Sequence, residues 1–430
     1  MEIAAALAVP LAFAGALWLV APAARRTIGL LHPAIAWLAL EAVFFGVGSV
    51  ALATVDRRPG PALYLAAAVV ATGIGVWIAD RVARLSGPEA RADLPVGPMP
   101  ETGRRRLAAP LLALASIVAL VPTLVATGIP LLSGDVTAAR AEVTGLAVQL
   151  VRVAVPALAV VWLLDSAAGR PPFGRSWLAP LALVAGVGFT AALGGRYLPL
   201  ELGAAVVLAW LLSGRGVPAR AALLAGFLAA AVFVGFGVVR AGDQAAGDPL
   251  RFAVERTASR LFLVQPRTLA ALQDRIPAEE PYFLGTSWLR RLGPLLGREI
   301  PNLGYWIYPR VVPGQQDTAG YAAPGLIGEA WANFGPAGIG LFVLLGAACE
   351  RLGALAVRRR TRSVDLAAAA MAILFVARTH ALGLMGLALL LGLVLAWRWL
   401  AGADDGLRRD LAATLRWRTA PHPSVVPANT

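Results

Sequence analysis

Long apolar runs separated by short polar segments dominate the chain. They fall near residues 3–22, 34–54, 61–79, 107–128, 146–164, 177–193, 198–213, 221–239, 326–349, 364–378 and 381–397. A helix needs roughly 20 mostly apolar residues to cross a bilayer, because lipid cannot hydrogen-bond an exposed backbone. The pattern therefore predicts an all-α, polytopic bundle of about eleven transmembrane helices.

Some of these runs are less regular than the others. The sixth and seventh are separated only by residues 194–197, which also fits a helical hairpin or a re-entrant pair, and the tenth and eleventh are short. The first run follows Glu2 and precedes Arg25 and Arg26, the reverse of the charge order in a secretory signal. We therefore expect it to be a true span with its N-terminus outside.

The polar segments divide the chain into four parts. Residues 1–239 carry the first eight predicted helices, with a cytoplasmic loop at 80–106, and residues 325–400 carry the last three. Residues 401–430 are predicted to form a cytoplasmic tail. The long segment at 240–324 is the only candidate domain beyond the membrane.

Composition agrees with a membrane protein. Hydrophobic residues make up 58% of the 430 residues, charged residues only 15%, and the mean hydropathy is +0.70, outside the range of soluble domains. The net charge of +13 would suggest nucleic acid in a soluble protein. Here the arginines lie between apolar spans, where they orient the chain, so nucleic-acid binding is not expected. The single Cys349 excludes a disulfide framework and a thiolate metal site.

The distribution of arginine predicts the orientation. The short odd-numbered loops contain many, including runs at 104–106 and 358–360, whereas the short even-numbered loops carry only Arg57, Arg58, Arg140, Arg196 and Arg378. Short arginine-rich loops stay in the cytoplasm during insertion. The C-terminus is therefore expected inside and the 240–324 segment outside.

The long outer segment combines an amphipathic pattern with a cluster of aromatic residues. The apolar positions Phe252, Val254, Leu261, Phe262, Val264 and Leu269 suit a helix lying over the bundle. The aromatic residues follow at Tyr282, Trp288, Tyr305, Trp306 and Tyr308. Aromatic faces stack on sugar rings and also mark the membrane interface, and both interpretations stay open.

Two outer-side arginines need a reason other than topology. Arg140 lies in the segment between the fourth and fifth spans, and Arg196 lies in the short GGRY connection. A guanidinium at the outer mouth of the bundle can hold a phosphate with two parallel hydrogen bonds. The alternative is that each side chain reaches to lipid headgroups.

Three charged residues, Glu41, Arg152 and Glu201, fall within predicted spans. A charge there costs on the order of 2.5 to 3.5 kcal/mol on insertion scales, so each needs a partner or a hydrated cavity. Arg152 is expected either to pair with Glu201 or Glu41 or to line a substrate cavity.

The most distinctive local pattern is GLIGEAWANFGPAGIG at residues 325–340, where the chain re-enters the membrane. Glu329 in this pattern either complements a helix dipole or acts as a general base at the rim of an outer cavity. His380, beside Arg378, is a rival base or an interfacial residue. The sequence contains no metal-ligand spacing, Walker loop or nucleophile elbow, so we expect neither a metal nor a cofactor.

Three of these segments together resemble the bacterial oligosaccharide repeat-unit polymerases, the Wzy-type O-antigen and capsule polymerases. They are GIPLLSGDVTAARAEVTG, LGGRYLPLELGAAVV and the long loop ending in GEAWANFG, spread over roughly residues 125–350. The resemblance implies a GT-C-type glycosyltransferase in the bacterial cytoplasmic membrane. Its donor and acceptor would be polyprenyl-pyrophosphate-linked oligosaccharides, and a chain-length-regulating membrane protein would be a further partner.

The resemblance also implies roles for individual residues. Arg140 and Arg196 would bind the pyrophosphate leaving group, with Arg260, Arg267 and Arg310 of the outer loop and Arg378 as further candidates. Glu329 or His380 would accept the proton of the attacking hydroxyl. Very short connections around Arg196 depart from the family pattern.

Three other functions compete with that of a polymerase. A ligase-like enzyme would share the lipid donor and the arginines but depend on a histidine in the outer loop, and the 240–324 segment contains none. A transporter or flippase would place ionisable residues in the middle of the membrane, as Glu41 and Arg152 do in part. A non-enzymatic scaffold would tolerate loss of Arg196 and Glu329.

Overall fold

The computed structural model describes residues 1–85, 108–133, 146–168, 177–193, 197–216, 248–288, 302–311, 321–358, 363–379 and 382–401, with single positions at 220, 231, 235 and 238. Helices and turns make up these ranges, which contain no β-strand. The predicted all-α fold class is therefore confirmed.

In the described ranges, eight helices precede the long loop, and seven more lie in it or after it. The first eight are α1 (Glu2–Arg26), α2 (Pro33–Glu41), α3 (Val47–Thr54), α4 (Gly60–Leu85), α5 (Ala108–Thr127), α6 (Leu146–Ala167), α7 (Leu178–Ala192) and α8 (Tyr197–Leu212). A π-helical segment, Ala42–Gly46, joins α2 to α3, so the two form one continuous apolar element.

Seven helices follow. Three belong to the loop: α9 (Pro249–Phe262), α10 (Val264–Arg275) and α11 (Leu303–Val311). The others are α12 (Gly325–Phe334), α13 (Gly340–Arg358), α14 (Ser363–Ala377) and α15 (Leu384–Leu400). A 3₁₀ turn at Gly335–Ile339 separates α12 from α13.

Six elements in the described ranges are long and apolar enough to cross a membrane, so the chain is a polytopic helical membrane protein. They are Glu2–Arg26, Pro33–Thr54, Gly60–Leu85, Ala109–Thr127, Leu146–Ala167 and Gly325–Val357. Four shorter apolar helices accompany them: α7, α8, α14 and α15. The span predicted at 221–239 lies almost wholly outside the described residues.

Close backbone approaches hold the long helices together. Gly75 of α4 lies against the backbone of Val343 in α13, and Gly346 lies against Thr72. A Cβ atom at either glycine would collide with the neighbouring main chain. Small residues at helix interfaces allow this proximity. The close van der Waals packing stabilises helix association in lipid, where the hydrophobic effect between helices is absent.

The two ends of the bundle differ. At the loop end, Arg58 pairs with Asp274 of α10 at 2.8 Å, and Gly48 packs against Phe262 and Pro266. At the opposite end, Asp80 of α4 binds Arg26 and Arg84. The loop helices thus cover one end of the bundle, and they share a small apolar core with α12 that includes Leu272, Ile276, Ile307, Tyr308 and Ala332.

Hydrogen bonds at the opposite end also hold the short helices α14 and α15 in place. Ser363 at the start of α14 donates to Asp165 near the end of α6 at 2.6 Å, and Arg398 near the end of α15 donates to Asp365 at 2.7 Å. Measured at 1.5 Å per residue, α14 extends about 22 Å from this layer, less than the roughly 30 Å of a bilayer core. The described residues where α14 gives way to α15, at 378–379 and 382–384, therefore lie at a depth within the bundle and are called the hairpin tip.

Candidate active site

Glu329 lies at the junction of the loop, α12 and the hairpin tip. Its helix begins at Gly325, whose φ of 58° follows the turn at Pro324, and ends at Gly335 with a φ of 56°. Both angles lie in the left-handed region that favours glycine. The Tyr64 hydroxyl donates to the Gly335 carbonyl at 3.2 Å, which anchors the end of α12 to α4.

Two neutral donors hold the Glu329 carboxylate. Trp288 of the loop donates its indole N–H to Oε2 at 3.0 Å, and the backbone N–H of Leu384 donates to the same oxygen at 2.9 Å. Oε1 has no hydrogen-bond partner among the described residues. A Cβ atom on Gly383 would occupy the position of the carboxylate, so the bare backbone of the hairpin tip makes this contact feasible.

Asn333 fixes the loop that carries Trp288. Its Oδ1 accepts from the Gly285 backbone at 2.9 Å and from Ser287 at 3.0 Å, while its Nδ2 donates to the Glu329 carbonyl at 2.8 Å. Backbone bonds from residues 283 and 284 to residues 332 and 333 extend this contact. The fully buried amide thereby positions the 283–288 turn over Glu329.

The surroundings of Glu329 suit proton acceptance. The side chain is only half-buried and takes part in no ion pair within the described ranges. An ionised carboxylate accepts about four hydrogen bonds, and only two are supplied here. A hydroxyl group of a bound molecule can therefore donate to Oε1, which is the geometry that a general base needs.

A cluster of charged residues lies on the other side of the hairpin tip. Arg152 of α6 donates to both carboxylate oxygens of Glu201, at 3.1 Å from Nε and 2.5 Å from Nη2, and also to Gln149 at 2.8 Å. Arg378 forms an ion pair with the same carboxylate. Arg152 is 6% exposed and Glu201 2%, so this is a desolvated, bidentate pair of the strong kind.

The hairpin tip connects the two groups. Arg378 faces Glu201, the Thr379 carbonyl accepts from the Leu326 backbone at 2.8 Å, and Leu384 donates to Glu329. Trp37 of α2 donates to the Thr379 hydroxyl at 2.6 Å. The tip is thus held by α2, α8 and α12 together.

The other predicted site residues are placed as follows. Arg140, Arg196 and His380 lie outside the described residues. Arg267 on α10 is exposed, and the side chain of Arg260 on α9 is outside the described part. Arg310 is exposed on α11 and stacks over the Trp306 ring at 4.6 Å. Of the predicted arginines in the described ranges, only Arg378 belongs to the hairpin tip, where Leu384 donates to Glu329.

Sequence reasoning missed two features. Trp288 was noted only as one aromatic residue among several, although it reaches Glu329. His32 was assigned no role, yet it is fully buried, caps α2 by accepting from Ala34 at 3.2 Å, and contacts Glu350 at 3.0 Å. The His-Pro pair before a helix was the available signal, because proline favours the first helical position and a polar acceptor favours the cap.

No family model matches the chain, and no curated protein or solved structure is similar to it. Within the described ranges, no three side chains of His, Cys, Asp or Glu are grouped closely enough to share a metal ion. The function must therefore be argued from the geometry and from the motifs of the chain.

Proposed function

We propose that the protein is a membrane glycosyltransferase that polymerises lipid-linked oligosaccharide repeat units at the outer face of a bacterial cytoplasmic membrane. The observation that carries the proposal is the Glu329 carboxylate, which is half-buried beneath a folded loop, is held by two neutral donors at Oε2, and receives no hydrogen bond at Oε1 from the described residues. A carboxylate in such a setting accepts a proton from a hydroxyl group.

The reaction follows from this arrangement and the motif resemblance. The acceptor hydroxyl attacks the anomeric carbon of the donor sugar, a glycosidic C–O bond forms, and the bond to polyprenyl pyrophosphate breaks. Glu329 takes the hydroxyl proton. Arginines on the outer side, with Arg140 and Arg196 as the first candidates, stabilise the negative charge that develops on the leaving group.

Aromatic residues near Glu329 fit a sugar substrate. The Trp288 ring contacts Phe334 at a centroid distance of 5.4 Å, and Leu284 and Gly285 form the turn beside it. Aromatic faces pack against the apolar faces of sugar rings. The Trp288 side chain combines such a face with the N–H that orients Glu329.

Glycan analysis of a deletion strain tests the proposal. Complementation with the wild-type gene should restore polymer, whereas Glu329→Gln should leave single lipid-linked repeats, because the amide accepts no proton. The matched control is Glu279→Gln, which changes an exposed carboxylate of the same loop paired with Arg275. Full-length polymer from a normally expressed Glu329→Gln protein would contradict the assignment.

One observation favours a second candidate, a transporter or flippase of lipid-linked glycan. Glu41 and the Arg152–Glu201–Arg378 cluster place ionisable groups in the interior of the bundle, as transport paths require. The same deletion strain separates the two functions. A transport defect leaves single repeats on the inner leaflet, whereas a polymerisation defect leaves them on the outer leaflet.

A further inference from the structure

Glu41 is a buried carboxyl group to which the proposed reaction assigns no role. It ends α2, immediately before the π-helical segment Ala42–Gly46, and none of its surface is exposed. Among the described residues, neither carboxylate oxygen has a hydrogen-bond partner. This contrasts with Glu201, whose two oxygens both accept from Arg152.

Within the part of the chain that the structure describes, the basic side chains on the helices that pack around Glu41 pair with other carboxylates or are exposed. The side chains of Arg256 and Arg260 on α9 lie outside that part. The pairs in the described ranges are Arg26 and Arg84 with Asp80, His32 with Glu350, Arg152 and Arg378 with Glu201, Arg398 with Asp365, Arg58 with Asp274, Arg251 with Glu255 and Arg275 with Glu279. Arg25, Arg81, Arg267 and Arg351 are exposed. Of the neutral titratable groups there, Tyr64 donates to Gly335 and the Cys349 thiol belongs to the apolar core.

The donor that the described residues place beside Glu41 is already committed to another acceptor. Trp37 lies one helical turn before it and within its reach, but the indole carries a single N–H, which donates to Thr379 at 2.6 Å. An ionised carboxylate without a donor or a countercharge is strongly disfavoured in an apolar interior, whereas a neutral carboxylic acid is tolerated.

We propose that Glu41 is a proton-binding site within the membrane: its carboxyl group holds a proton in the resting protein and exchanges it with water from the loop end. A proton fits better than a metal cation, because no other acidic, histidine or cysteine side chain in the described ranges joins Glu41 in a metal-binding group.

Two further buried acceptors indicate the side of entry. Ser49 Oγ on α3 and Gln265 Oε1 on α10 also receive no hydrogen bond from the part of the chain that the structure describes. They flank the contact of Gly48 with Phe262 and Pro266, where the loop helices cover the bundle. Buried acceptors without protein donors are ordinarily satisfied by water. Water at these two groups would bring protons toward Glu41 from the loop end.

Ionisation of Glu41 would also weaken a hydrogen bond that holds the hairpin tip. The negative carboxylate would compete for the Trp37 N–H, which now binds Thr379. The same tip donates to Glu329 through Leu384. Proton release at Glu41 therefore loosens one of the contacts that hold the candidate active site.

Infrared spectroscopy of the full-length protein in lipid vesicles at neutral pH tests the proposal. The wild-type protein should show a C=O stretching band of a protonated carboxylic acid that is lost in Glu41→Gln and retained in the control Glu255→Gln, which changes an exposed carboxylate. In heavy water the band should shift to lower frequency as deuterium replaces the carboxyl proton. The shift should develop more slowly in the double variant Ser49→Ala, Gln265→Leu. Identical wild-type and Glu41→Gln spectra, a band that never exchanges, or a band abolished by sodium ions would overturn the proposal.

Chemical labelling gives a test that needs no variant. Dicyclohexylcarbodiimide reacts with protonated carboxylic acids in apolar surroundings: the carboxyl O–H adds across one N=C bond, and the acyl group then migrates to nitrogen to leave a stable N-acylurea. Peptide mass analysis of the labelled wild-type protein should find this adduct on Glu41. Labelling that is confined to other carboxyl groups would contradict a protonated Glu41.

Discussion

Glu201 and Glu329 both contact the hairpin tip, but their carboxylates have partners of different charge. Glu201 is almost fully buried and binds two guanidinium groups, from Arg152 and Arg378. Glu329 is half-buried and binds two neutral N–H groups, from Trp288 and Leu384. Positive partners hold a carboxylate in its ionised form, whereas neutral donors orient it and leave it able to take up a proton.

The comparison separates a structural role from a chemical one. Removing one partner of a buried ion pair is costly because it leaves an uncompensated charge, so Glu201 is expected to stabilise the contact between α6, α8 and the hairpin tip. Within the described ranges Glu329 accepts only two hydrogen bonds, both at Oε2, and forms no ion pair. Substitution of Glu201 should therefore damage the fold, and perturbation of Glu329 should damage the reaction.

The largest effect is expected for Glu201→Ala. The variant removes the carboxylate that Arg152 and Arg378 share, and loss of a buried partner typically costs about 3 to 5 kcal/mol. Thermal unfolding of the purified protein in detergent should show a markedly lower midpoint. In the control Glu255→Ala, which breaks an exposed pair with Arg251, the midpoint should not change. Equal midpoints for both variants would mean that the buried pair does not stabilise the fold.

A second prediction displaces Glu329 without changing it. A methyl group in Gly383→Ala would occupy the position of the Glu329 carboxylate, whereas in Gly386→Ala it would meet only Leu382 at an ordinary 3.8 Å. Misplacement of a catalytic group by about 1 Å can cost about 100-fold in rate, so polymer formation should fall by that order in the first variant alone. Similar activity in the two variants would argue against a catalytic role for Glu329.

The sequence was sufficient for the helical class and for the need to pair buried charges. A long apolar run predicts a membrane-spanning helix whatever the rest of the fold. A charged residue in such a run requires a partner or a hydrated cavity. The pair Arg152–Glu201 was therefore among the alternatives that the sequence predicts. The third member, Arg378, was predicted instead as a substrate-binding residue. Its pairing depends on where the α14–α15 turn meets α8, which is set by tertiary packing rather than by local pattern.

The candidate site was predictable only in part for the same reason. The acidic residue was identified from its place before Asn-Phe-Gly, a local signal. Its contacts with Trp288 and Leu384 join segments 41 and 55 residues away along the chain. Glu41 was recognised as a costly charge, but the absence of a partner becomes visible only when all surrounding helices are placed.

The smallest expected effect concerns the loop that carries Trp288. Asn333→Ala removes the acceptor for the Gly285 N–H and the donor to the Glu329 carbonyl, and leaving such groups unsatisfied costs about 1 to 3 kcal/mol locally. Hydrogen exchange measured by mass spectrometry should become faster at residues 283–288, while the midpoint of global unfolding should fall less than in Glu201→Ala. Thr54→Ala, which removes an exposed hydroxyl bonded within its own helix, serves as the control. Unchanged exchange in the turn would mean that contacts other than the Asn333 amide hold Trp288 over Glu329. The orientation of the Glu329 carboxylate, which distinguishes it from the charge-paired Glu201, would then depend on the bond from Leu384 at the hairpin tip.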